Sequence, residues 1–186
     1  MTERFKTLSR KDPEFLAYLD GSFSSRFCAL PIRSLNVGTK AEQVTFEIIP
    51  RAGLPRPGFV RIARQLIRPT SLVFSMGPMI AVLFFCVAHG LNVDRLIGVT
   101  SFLGVVLFQI AMNLFNDYGD HMKGQDRLRP QGGSRAIQKG WVTATSVKRI
   151  AWICLVGAAL LGASAVGLVQ LAPGHRCGNP VPGRCV

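Results

Sequence analysis

Acidic residues are scarce in this 186-residue chain: ten Asp and Glu stand against 22 Lys and Arg, for a formal charge of +12. Three long runs, residues 69–91, 96–115 and 150–171, contain no Asp, Glu, Lys or Arg at all. Each is near the roughly 20 residues that a bilayer's hydrocarbon core requires, and uncharged runs of that length argue against soluble helices with one wet face. The five cysteines show no CxxC or Cys-His spacing, which excludes a zinc site of the usual form. Cys86 and Cys154 fall inside apolar runs as small hydrophobes, while Cys177 and Cys185 leave open a disulfide or an ordinary loop pair. An internal repeat, a phosphate-cradling Gly-rich loop and a nucleophile elbow are all missing. The start of the chain lacks a charged region followed by an apolar stretch and a cleavage pattern, so the first run does not read as a signal peptide.

The basic residues flank the apolar runs. Arg51, Arg56, Arg61, Arg64 and Arg68 precede the first, and Lys123, Arg127, Arg129, Arg135, Lys139, Lys148 and Arg149 lie between the second and third. Only Asp94 and Arg95 charge the short connection between the first two. The positive-inside bias then puts the N-terminus and the 117–149 segment in the cytoplasm, in a multi-pass protein of the cell membrane. A nucleic-acid partner is not expected, because its basic residues would form a face interleaved with aromatics rather than track span boundaries. The fold class is therefore all-α, a transmembrane helical bundle. Residues 1–60 read as a polar, irregular region with one alternating piece, Gln43–Ile49, that has no evident strand to pair with. Residues 61–171 form the membrane part, and 172–186 an irregular tail. Phe59, Ile62, Ala63 and Leu66 recur at helical spacing, which suits either a helix on the membrane surface or a plain flank.

The chemistry concentrates where the second run ends, in NLFNDYGDHMKGQD from Asn113 to Asp126. On a helix, Gln109, Asn113, Asn116, Asp117 and Asp120 fall on one face. Carboxylate and amide oxygens suit a hard cation such as Mg2+, which takes one or two carboxylates and completes its shell with phosphate and water. Asp117 and Asp120 can share one metal or each take one. Lys123, Arg135 and Lys139 follow on the same side, so cation-recruiting acids adjoin bases that neutralise phosphate oxygens. The plainer alternative is a solvated helix end with a charge-balanced loop. Ionisable groups this close to membrane depth are costly and usually functional.

NDYGDHMKGQD followed by GGSRAIQKGWVTATSV resembles the first signature of the UbiA superfamily of membrane prenyltransferases, and most of all its 1,4-dihydroxy-2-naphthoate polyprenyltransferase branch. The resemblance covers about residues 61–171. Asn116, Asp117 and Asp120 match the family's aspartate-rich motif, Asp126 the later aspartate, and Arg135, Gln138 and Gly140 the loop after it. It implies Mg2+ as cofactor on Asn116, Asp117, Asp120 and Asp126, with Asp117 and Asp120 catalytic. It also implies a polyprenyl diphosphate held by Asn113, Asn116, Lys123, Arg135 and Lys139, and an aromatic acceptor. The family's second aspartate-rich motif and remaining helices are missing, so the chain reads as truncated or frame-shifted, or as one half that pairs with a complementary C-terminal half. Alone it is expected to be inactive, with Gln109, Asn113 and Asn116 facing lipid. Other readings are a 4-hydroxybenzoate-type acceptor and a non-catalytic, partner-binding membrane protein.

Overall fold

The computed structural model describes residues 4–91, 94–128 and 134–171, without the side chains of 169–171. In chain order these form β1 (Phe5–Ser9), α1 (Phe15–Asp20), β2 (Phe27–Leu35), β3 (Gln43–Pro50), α2 (Phe59–Ile67), α3 (Pro69–Ala88), α4 (Arg95–Lys123), α5 (Gln125–Leu128) and α6 (Ala144–Leu171). Helices α3, α4 and α6 are each long and apolar enough to cross a membrane. That agrees with the multi-pass helical reading. The tail expected at 172–186, with Cys177 and Cys185, lies outside the described residues.

Residues 5–50 are not irregular, and this corrects the reading of the N-terminal region. The strands form an antiparallel sheet in the order β1-β3-β2. The alternating piece at Gln43 is its central strand, with Thr7 opposite Thr45 on one side and Cys28 opposite Ile49 on the other. Pairing with both neighbours removes the objection that a lone strand cannot stand. Val44 and Phe46 point to the covered face, where they pack with Leu8, Ala29 and the α1 residues Phe15 and Leu19. The register slips between Pro31 and Arg33. Pro31 has no N–H to give the ladder, and such a residue is tolerated at a bulge or on an edge strand such as β2.

Helix α4 packs chiefly on α6, with α3 and α2 on its other sides. Gly104 of α4 lies against Ala158 and Leu161 of α6, so a small residue admits the neighbouring backbone. Asp94 caps α4 by accepting from the N–H groups of Leu96 at 2.7 Å and Ile97 at 3.2 Å. At its other end α4 continues eight residues past the apolar run, to Lys123, and carries the acidic motif on a regular helix. Leu66, Leu114, Ala136, Ile137, Val147 and Ala151 form a core beneath that extension. Of the periodic residues in α2, Leu66 is buried there and Ile62 packs against the cluster, while Phe59 is exposed.

The α/β module sits on this end of α4. His121, buried, bonds the carbonyl of Leu19 through Nε2 at 2.8 Å. Glu42, fully buried, accepts from Arg10 at 2.7 Å and from Arg127 of α5 at 2.5 Å. Gly140 has a φ of +67°, and a Cβ there would lie 2.7 Å from Cys28 Sγ and 2.9 Å from Leu30 Cδ2. Only glycine meets both demands, the left-handed backbone and the close approach of β2.

Candidate functional site

Helical geometry brings Asp117 and Asp120 together at the end of α4, and the short helix α5 folds Asp126 back toward them. Burial first, then the neighbouring Asp120 and Asp117, push the Asp126 carboxyl up to about 6, against the opposing pull of Arg68 and Arg135. Three carboxylates and two guanidiniums thus share one electrostatic neighbourhood. Asp117 is buried. Its Oδ1 pairs with the Arg68 guanidinium and accepts from the Ser134 N–H at 3.4 Å. Its Oδ2 is buried and has no partner among the described residues.

Arg68 and Arg135 share a backbone feature: both have positive φ, 53° and 55°. Left-handed backbone is uncommon outside glycine and accumulates at functional sites. Arg68 joins α2 to α3 in that conformation. The Arg135 Nε donates to Gln138 Oε1 at 3.2 Å.

The polar stripe of α4 is not left to lipid along its length, contrary to the expectation above. Asn113 is 4% exposed and donates to the Ile67 carbonyl at 2.8 Å and to Ser71 Oγ at 2.6 Å. Gln109 donates to Asn113 Oδ1 at 3.3 Å and accepts from Ser75 Oγ at 2.5 Å. These two amides are spent on joining α4 to the α2–α3 elbow, a common use of polar side chains between membrane helices. Asn116 is different. It is exposed, one helical step off the buried face that Asn113 and Asp117 define. Lys123 is exposed too, and the Lys139 ammonium lies 4.5 Å from the centre of the Trp141 ring.

Among the described residues no group of three or more Asp, Glu, His and Cys is placed to hold a metal ion. What the site offers is the unpartnered Asp117 oxygen, with Asp120 and Asp126 in its electrostatic neighbourhood. That fits a cation needing only one or two protein carboxylates. Sequence reading missed Arg68 as the partner of Asp117, because its place in a basic run before an apolar helix carries an equally good topological meaning. Its signal was the Arg-Pro step, where the α2 and α3 patterns meet. Glu42 and Arg127 were also missed, since nothing local links residues so far apart in the chain.

Three helices able to cross a membrane, with carboxylates and arginines gathered where one of them ends, fit a multi-pass helical membrane protein. The chain resembles proteins named 1,4-dihydroxy-2-naphthoate octaprenyltransferase. That of Escherichia coli (strain K12) is 40% identical over 73 residues, 37% of this chain and 24% of that protein. That of Haemophilus influenzae is 35% identical over 75 residues, 40% of this chain and 24% of that protein. That of Bacillus subtilis (strain 168) is 29% identical over 133 residues, 66% of this chain and 42% of that protein. The matches span about a quarter of the first two relatives and under half of the third. No family model and no solved structure matches the chain.

Proposed function

We propose that this chain carries the diphosphate- and Mg2+-binding part of a prenyl transfer from an allylic polyprenyl diphosphate to an aromatic acceptor, 1,4-dihydroxy-2-naphthoate. The observation that carries the reading is the buried, unpartnered Asp117 oxygen beside Asp120 and Asp126, ringed by Arg68 and Arg135. Similarity to the three octaprenyltransferases supports the reaction class. One or two of Asp117, Asp120 and Asp126 would hold Mg2+, with Asn116 at the exposed rim. When bound, the ion supplies positive charge to the oxygens of the departing diphosphate. Arg135, Lys139 and Lys123 add donors and charge to the same oxygens. Asn113 has a supporting part, because its amide protons already fix α4 against the elbow from which Arg68 reaches Asp117.

The acidic helix end lies on the cytoplasmic side in this reading, as the flanking Lys and Arg residues require. The isoprenoid chain and acceptor need apolar walls beyond these helices. Helix α3 contains no buried residue, and a complementary C-terminal half would cover it. The test pairs the chain with the C-terminal half of a naphthoate octaprenyltransferase in membranes lacking their own activity. Asp117→Asn and Asp120→Asn keep shape but remove charge, and each should lower Mg2+-dependent transfer by orders of magnitude. Unchanged rates at limiting Mg2+ would remove that carboxylate from the site, and transfer to 4-hydroxybenzoate alone would reassign the acceptor.

A further inference from the structure

The elbow between α2 and α3 carries an open groove of about 750 Å³, lined by Arg61, Arg64 and Gln65 of α2, Arg68 of the connection, and Thr70 and Phe74 of α3. None of its lining residues is acidic. Arg68 is already paired with Asp117. Arg61 and Arg64 are exposed and take part in none of the ion pairs among the described residues. Three residues apart on a helix, they share one face of α2, opposite the face on which Ile62 and Leu66 meet the core.

Large apolar side chains stand beside these guanidiniums. Phe59 and Val60, which open α2, are exposed, and so are Val73 and Phe74 in the second turn of α3. Because α3 is long and apolar enough to cross a membrane, Val73 and Phe74 face acyl chains while the arginines before them reach headgroup level. The first turn of α3 starts at Pro69 and has no side-chain cap, so the helix end adds partial positive charge to the same place. A soluble anion would leave the apolar margin in water. A zwitterionic headgroup would bring one more cation among the arginines. An anion with an acyl body satisfies both halves of the surface.

We propose that this groove binds one anionic phospholipid, with its phosphate between Arg61 and Arg64 and its acyl chains along Val73 and Phe74. Guanidinium forks match phosphate oxygens, and basic pockets at the ends of membrane helices hold such headgroups. A lipid seated there braces the elbow from which Arg68 reaches Asp117. The proposal rests on the membrane placement of α3 and on neither Mg2+ nor prenyl transfer.

The whole chain in neutral detergent with excess EDTA is titrated with phosphatidylglycerol, or with phosphatidylcholine of the same acyl chains, and bound lipid is counted by native mass spectrometry. One saturable phosphatidylglycerol per chain is expected. Arg61→Gln or Arg64→Gln should weaken it about fivefold, and the two together about thirtyfold, the effect of one basic residue apiece at an anionic surface. Arg26→Gln with Arg33→Gln removes the same charge from exposed positions of the N-terminal module and should leave binding unchanged. Equal binding of the two lipids, or an equal loss in the two double variants, would overturn the proposal. Displacement of the lipid by inorganic diphosphate would also overturn it, by giving the arginines to a soluble anion. The unliganded groove variants should keep the wild-type thermal midpoint, and a fall would make these arginines structural instead. Arg68, Asp117 and Asp120 stay intact and metal is absent throughout, so failure of the prenyl-transfer reading would leave lipid binding untouched.

Discussion

Replacing Arg127 by Met would strand Glu42 as a fully buried carboxylate with one of its two cationic partners gone. Glu42 Oε1 faces Arg127 at 2.5 Å, and the Arg127 side chain is 5% exposed, so solvent can substitute for neither. Breaking such a buried pair from one side costs about 3–5 kcal/mol, chiefly as the penalty on the charge left behind. Arg10 holds the other oxygen at 2.7 Å, but its side chain is 40% exposed and water shares its work. Arg10→Met should therefore cost less, about 1–2 kcal/mol. A domain's whole stability is about 5–15 kcal/mol, so the first substitution is severe and the second is not. The compensating double variant, Glu42→Leu with Arg127→Met, removes both charges and should recover most of the loss. Unfolding of the wild type and the three variants in micelles, followed by tryptophan fluorescence, measures these differences, and limited proteolysis of the N-terminal module gives a second readout. A cost below about 1 kcal/mol for Arg127→Met, or no recovery in the double variant, would refute the claim that this pair fastens the module to α5.

Other consequences can be checked independently. Asp126 has a folded value of about 6 against an ordinary 3.8, so the fold binds its proton more tightly than the unfolded chain does. Stability from this group is greatest below about pH 4 and declines as pH rises toward about 6; Asp126→Asn should flatten that slope in metal-free denaturation curves. Gly140→Ala and Gly90→Ala both place a side chain on positive φ, but only the first meets neighbours within 4 Å. Gly90→Ala should cost about 1–2 kcal/mol and Gly140→Ala clearly more, with equal thermal midpoints as the contrary result. A single cysteine at the exposed position Gln125 should resist an impermeant thiol reagent in intact cells and react after permeabilisation. Labelling of intact cells would reverse the orientation assigned to the acidic helix end.

The membrane helices were legible because each is a long uncharged run, a signal carried by every residue of the segment. The acidic face was legible for a related reason: Asn113, Asp117 and Asp120 repeat at helical spacing, and α4 continues through them. The burial of Asn113 was not, because its acceptors are Ile67 and Ser71, contributed by two other helices, α2 and α3. The sheet was hidden more deeply. Gln43–Ile49 alternates cleanly, but β1 spans only five residues and β2 is broken by Pro31. Strand pairing across more than 30 residues leaves no periodic trace in either strand. Arg68 lay in a run of arginines whose placement before an apolar helix was already explained by topology, and a side chain with one sufficient reason advertises no second.

Met122 is partly buried against both clusters, the one beneath the acidic helix end and the one inside the α/β module. It serves as a party wall between them. His121 beside it bonds the carbonyl of Leu19, so adjacent positions of one helix turn are claimed by the neighbouring module. The first 50 residues are consequently no appendage that a shorter relative could shed without repair. Deleting them would uncover a buried imidazole, half the surroundings of a methionine and the arginine that Glu42 neutralises. The last turn of α4, which carries Asp120, would then need a new surface chemistry.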